Sequence, residues 1–213
     1  RPPAPVTLLV YATTDDLYGA LGPGTRENVG GQANAETGTM YALISPNQRA
    51  SDWEAIVIGH ELTHLVFDAA TANPWREPPR WLNEGIAVWL TEGYGASDRS
   101  QVERAARAGT LIPLEGLAGY FPTTPGRFSL AYAVSASAID HLARRWGRDA
   151  VGRLARAYRD GVTDDAAFRA AIGIDLATFE ATWLAGLGVD RPDPYGPVPA
   201  PPGPAPPGWS TTP

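Results

Sequence analysis

The sequence predicts an α+β fold: a small N-terminal β-sheet whose edge strand packs on a central helix, followed by a mostly helical C-terminal lobe. Three observations carry this. A run rich in β-branched and large apolar residues stands near the start at 6–11, and two further strand candidates follow at 29–34 and 39–44. From 51 to 188 the apolar residues recur at helical spacing, punctuated by capping residues and glycine stops. After Asp190 the composition turns abruptly to Pro and Gly.

Taken in order, 6–11 reads as a buried strand and 15–21 as a short helix stopped by Gly22 and Pro23. The turn Ala35-Glu36-Thr37-Gly38 joins the next two strands as a hairpin, with 39–44 expected as the exposed edge beside the central helix. Ser51 and Glu54 form a capping box, and the helix they start runs to about Ala70, apolar around most of its circumference and hence central. Pro78-Pro79 opens a second helix ending near Thr91, with Gly93 as its stop. A capping box at Ser100 and Glu103 starts a short helix closed by Gly109, and 111–124 is irregular. Further helices follow at 128–146, 149–160, 163–171 and 175–187. This gives one domain over 1–190, with the sheet and the two site-bearing helices at about 6–93 and the helical lobe at about 98–188. Residues 191–213 form a polyproline II tail, a linker or spacer.

Composition narrows the function. The net charge of −6, with scattered basic residues, argues against a nucleic-acid surface. No apolar run approaches the roughly 18–20 residues of a membrane span. All 17 basic residues are arginine, which with abundant Ala, Gly and Pro reads as coding bias rather than function. Cysteine is absent, so any metal must be held by imidazole and carboxylate.

Two of the three histidines stand in Gly59-His60-Glu61-Leu62-Thr63-His64. Their spacing is about one helical turn, so both imidazoles project from one face and can grip one cation. Glu61 is rotated by about 100° from His60, beside the ion rather than on it. This H-E-x-x-H arrangement belongs to zinc-dependent hydrolases. A catalytic zinc takes three protein ligands. The third candidate is Glu84, on a polar patch with Asn83 inside an otherwise apolar helix, where a carboxylate is costly unless paired or metal-bound. The connection between the helices is long enough for Glu84 to return antiparallel beside His60 and His64. Asp68 continues the His60/His64 face by one more turn, where it could orient a ligand or cap the helix end.

His60-Glu61-Leu62-Thr63-His64 with Asn83-Glu84 resembles the gluzincin metallopeptidases, the clan of the thermolysin-like enzymes and related zinc aminopeptidases. The string Pro79-Arg80-Trp81-Leu82-Asn83-Glu84-Gly85-Ile86-Ala87-Val88-Trp89 more closely resembles the small bacterial peptidase MA-like families, as do segments 132–147, 165–173 and 179–183. The resemblance covers about 53–187 and implies one zinc ion on His60, His64 and Glu84, with a peptide or protein as substrate. It also implies that Glu61 acts as general base on the attacking water and carries its proton to the leaving amine. Gluzincins add a Tyr or His donor to the oxyanion. Tyr132 is the choice here, because it begins a helix of small residues able to approach the zinc helix closely; Tyr120 and Tyr41 are alternatives. His141 reads as a surface or packing histidine. Asn83 matches the Asn that precedes the ligand Glu in thermolysin-like enzymes, whereas Val88 stands where those enzymes carry a supporting Asp. Gly38-Thr39-Met40-Tyr41-Ala42 lacks the carboxylate with which the aminopeptidases bind a substrate's amino terminus, so an endopeptidase or an unassigned peptidase is expected.

A zinc-binding surface module without activity is the rival reading, and a non-metal helical domain with structural histidines is a third. The intact Glu61 speaks against the former, since a purely structural site needs no base. The Pro-rich tail and a start at Arg1 rather than Met lead to the expectation of an exported or membrane-tethered bacterial domain.

Overall fold

The computed structural model describes residues 5–22, 30–46 and 53–189. The expected helix cap Ser51 and the tail at 191–213 lie outside them. Strands β1 (Thr7–Tyr11), β2 (Gly31–Asn34) and β3 (Thr39–Leu43) form one sheet in the order β1-β3-β2. β1 runs parallel to β3, with Thr7 opposite Thr39, and β2 runs antiparallel to it, with Gly31 opposite Ala42. A parallel pair needs a long connection, and helix α1 (Thr14–Leu21), capped by Thr13, lies within it. In the β2–β3 turn, Asn34 Oδ1 accepts the Thr37 N–H at 3.0 Å and Gly38 takes a left-handed φ of +63°.

Two expectations about the sheet are corrected. β3 is its central strand rather than its edge, because β1 pairs with the side that the hairpin leaves open. The edge strand beside the central helix is β2. β1 is not buried: Leu8, Leu9 and Val10 are 37%, 39% and 53% exposed. It has one strand neighbour among the described residues, so an apolar run that reads as interior stands at the rim.

Helix α2 (Trp53–Thr71) packs on β2 and β3 with one flank and on helix α3 (Arg80–Thr91) with another. The α2–α3 contact is close because Gly59 has no side chain; a Cβ there would lie 2.9 Å from Thr91 Cγ2. The connection between the two helices is pinned by Asn73. Its Nδ2 lies 2.9 Å from the carbonyl oxygens of Thr71, Arg76 and Tyr158, and its Oδ1 accepts the N–H groups of Trp75 and Arg76.

The rest is helical, as predicted: α4 (Ala96–Arg107), α5 (Pro125–Trp146), α6 (Arg148–Ala157), α7 (Asp164–Ile172) and α8 (Leu176–Gly186), with 3-10 turns at Leu114–Leu117 and Tyr158–Asp160. α4 starts a turn earlier than its sequence signal. Asp98 Oδ2 accepts the Gly95 N–H at 3.3 Å, while Ser100 sits inside the helix. The core lies in this lobe. Trp81 of α3 meets Phe168 of α7 and Phe179 of α8 with ring centroids 6.2 and 6.4 Å apart, and the Trp183 indole N–H donates to Ser137 Oγ at 3.1 Å. Among the described residues no helix is long and apolar enough to cross a membrane.

Candidate metal centre

α2 and α3 bring His60, His64 and Glu84 together, with one potential ligand atom from each within 4.8 Å of the others. Glu84 Oε2 lies 3.4 Å from His60 Nε2 and 3.5 Å from His64 Nε2. It is buried and makes no hydrogen bond. Ligand atoms about 2.0–2.1 Å from a tetrahedral ion stand roughly 3.3–3.5 Å apart. These separations therefore match the edges of a zinc coordination tetrahedron and are long for hydrogen bonds. His64 Nδ1 lies 2.8 Å from Asn83 Oδ1. The amide oxygen can only accept, so Nδ1 donates to it and Nε2 is the nitrogen that faces Glu84. The residues present thus fit a single zinc ion, with His60, His64 and Glu84 as its holders.

The charges of the side chains agree. Burial by itself would raise the Glu84 carboxyl, but the His60 and His64 imidazoles and the Arg80 guanidinium hold it far below the ordinary carboxylate range. Burial opposes charge on His64 too, yet Glu84, with help from Glu61 and Asn83, pushes it up to about 9. Glu84 is thus a carboxylate facing a protonated His64, whose Nε2 proton a divalent cation would displace.

Glu61 is one residue round the helix from His60 and only 5% exposed. Burial raises its carboxyl, with Glu84 adding to the rise and the two imidazoles opposing it. Gly31 of β2 lies over it: a Cβ on Gly31 would come within 2.7 Å of Glu61 Oε1 and 2.9 Å of Val57 Cγ2. Only glycine allows this strand to lie so close to the carboxylate.

Tyr132 stands across the centre from α2, its ring centroid 6.3 Å from that of His60. Phe121 and Phe128 wall it in at 5.2 and 5.0 Å. Burial raises its hydroxyl, Glu84 and Glu61 add to this, and Arg80 opposes it. It reaches the site by a different contact from the one expected. The small residues of α5 approach α3, not the helix of the two histidines, and a Cβ on Gly85 would lie 2.6 Å from Ser135 O. The alternatives are placed elsewhere. Tyr41 stacks on Tyr11 across the strand pair at 6.4 Å, on the face opposite buried Met40 and Ala42, and Tyr120 is 79% exposed at the cleft rim. His141 packs edge-on against Phe179 at 5.7 Å and its Nε2 meets Thr182 Oγ1 at 3.1 Å, remote from the centre. Asp68 lines the cleft near Glu77, where burial raises its carboxyl; the partner of His64 Nδ1 is Asn83 instead.

These groups lie along an open cleft of about 1650 Å³, whose lining includes Gly30, Gly31, Gln32 and Ala33. A drug-sized ligand fills roughly 300–1,000 Å³, so this cleft suits several residues of an extended chain. Sequence reasoning passed over two contributors, Arg80 and Gly31. Arg80 Nη2 donates to Glu84 Oε1 at 2.9 Å, a pairing whose four-residue helical spacing was readable in advance. The close approach of Gly31 had no local signal beyond a glycine doublet at the start of a strand.

A family model, that of the Peptidase MA superfamily, matches residues 1–188 and so spans every group described above. No curated protein and no solved structure gives a match.

Proposed function

On the premise that the chain belongs to the Peptidase MA superfamily and is a peptidase acting on peptides or proteins, we propose that it cleaves internal peptide bonds with one zinc ion held by His60, His64 and Glu84. The observation that carries this reading is the orphaned Glu84 Oε2. It is a buried carboxylate oxygen without a hydrogen bond, at coordination-edge distance from two imidazole nitrogens. A buried charge so arranged is costly unless a cation completes it.

A bound zinc ion would supply Lewis-acid activation of water and of the scissile carbonyl. Glu61, raised by burial and facing the same cleft, is suited to accept a proton from the attacking water. As the water oxygen bonds to the carbonyl carbon and the C–N bond breaks, Glu61 returns that proton to the leaving amine nitrogen. The Tyr132 hydroxyl, kept protonated by burial, would donate to the oxygen that gains charge. The outer edge of β2, beside Glu61, offers backbone groups to an extended substrate by strand addition. Endopeptidase action is supported by the open, large cleft and by the segment Gly38-Thr39-Met40-Tyr41-Ala42, which holds no carboxylate to bind a substrate's amino terminus.

The test is hydrolysis of casein and a peptide library by the zinc-loaded protein and by Glu61→Gln. Removing a general base lowers turnover by about 10²–10⁴-fold, and zinc stoichiometry should stay at one per chain. Equal turnover in Glu61→Gln would sink the mechanism. A wild-type protein that holds zinc yet cleaves nothing would instead be the inactive binding module.

A further inference from the structure

Arg80 opens α3 one turn before Glu84 and is the cation closest to the centre's carboxylate. Its Nη2 donates to Glu84 Oε1 at 2.9 Å, which leaves Oε2 as the oxygen that faces the two imidazoles. Its guanidinium carbon stands 5.3 Å from the centroid of Phe121, the same buried ring that meets Tyr132 edge-on at 5.2 Å. Arg80 Nε is buried and has no hydrogen-bond partner.

An i,i+4 ion pair on a helix surface contributes little and is readily exchanged for water. Here the carboxylate side chain is only 8% exposed, and the Arg80 side chain, 36% exposed, reaches it past the Phe121 ring with its Nε left unsatisfied. That arrangement is unfavourable for Arg80 alone and favourable for the geometry of its neighbours. A carboxylate is free to turn about its last bond and offer either oxygen, or both, to an ion. Engaging Oε1 removes that freedom.

We infer that Arg80 is a positioning residue of the metal centre: it clamps Glu84 through Oε1 so that Oε2 alone is presented beside His60 and His64, and with Phe121 it fixes Tyr132 on the opposite side of the same centre. The inference rests on the zinc reading above. It adds a residue outside the ligand set whose loss should loosen the ion and misplace the tyrosine together.

The experiment measures zinc affinity by competition with a chromophoric chelator for wild type, Arg80→Met, Arg80→Gln and Arg80→Lys, with thermal melts of each zinc-free protein. Loss of a group that orients a ligand weakens metal binding by about 10–100-fold. Arg80→Met and Arg80→Gln should show that weakening, and Arg80→Lys should recover part of it, since an ammonium keeps the charge but not the fork. At saturating zinc, Arg80→Met should lower kcat by about tenfold or more while KM moves little. Combined with Tyr132→Phe, it should then cost less than the product of the two separate losses. Zinc affinity within twofold of wild type in both neutral variants, or strictly multiplicative losses with Tyr132→Phe, would overturn the inference while leaving zinc peptidase activity intact. A wild-type protein that binds no zinc would remove the functional reading itself, and this inference with it. If Arg80→Met does not fold, Arg80→Gln and Arg80→Lys decide between these outcomes.

Discussion

The helical lobe and the sheet treat apolar residues in opposite ways. In the lobe, Trp81, Phe168, Phe179 and Trp183 are 0–1% exposed and interlock across α3, α7 and α8. In the sheet, the apolar run of β1 faces outward, and burial is confined to the face of β3 that carries Met40 and Ala42. The division is matched by the site. Glu84 and Tyr132, which need fixed positions, come from helices rooted in the dense core. The strand that lines the cleft beside Glu61 belongs to the thin sheet.

The strongest way to break this contrast is to truncate one apolar side chain in each region. Trp81→Ala should lower unfolding free energy by about 3–5 kcal/mol, the usual loss for a buried aromatic. Val10→Ala should stay within about 0.5 kcal/mol, as surface changes do. Urea titration of both variants checks this, and comparable losses would show that β1 is covered in solution. Between these extremes lies Gly31→Ala. The new Cβ would press on the Glu61 side chain and Val57 Cγ2, and overpacking of this kind costs about 1–3 kcal/mol when nothing yields. Here the flexible Glu61 side chain is the part that gives, so the melt should change little. The peptidase assay should fall by about tenfold, since Glu61 is displaced, and an unchanged kcat would remove Gly31 from the site.

A further effect is one of pH and concerns the helical side alone. The His64 pKa is raised to about 9 in the folded protein, above the ordinary value of 6.5. In the zinc-free protein its stabilising contribution is therefore complete below pH 6.5 and is lost as pH rises through 9. Zinc must displace that proton, so affinity should climb about tenfold per pH unit across the same window and level off above it. Calorimetry in buffers of different ionisation enthalpy would count the proton. Zinc binding that neither releases a proton nor changes with pH would contradict the coupling of His64 to Glu84.

Much of this was legible in the sequence because helical periodicity and ligand spacing are local signals. The spacing of His60 and His64, the polar break at Asn83-Glu84 and the glycine stops at 147, 161 and 173 each depend on residues within a turn or two. What was misread depends on distant neighbours. An apolar strand looks the same whether or not something covers it, so β1 read as buried. The central place of β3 is decided by its pairing with a strand from the far side of α1. The position of Tyr132 follows from Gly85 meeting the Ser135 carbonyl, a contact between helices that no local pattern encodes. Arg80 differs: its four-residue spacing from Glu84 is local, but such a pair has the same pattern on a solvated helix face as beside a buried carboxylate.

The Asn73 anchorage carries one more consequence. The segment joining the two ligand-bearing helices is tied by a single amide to its own carbonyls and to that of Tyr158 in the lobe, which removes the slack from the chain between His64 and Glu84. On the zinc reading proposed above, the coordination sphere would be a finished socket, with little ordering of the polypeptide left to be done when the cation arrives. Capture of the ion should therefore be governed by stripping its water and displacing a proton rather than by rearranging the fold. Chelation and reloading can proceed without unfolding, and the peptidase would meet scarce zinc with its grip already formed.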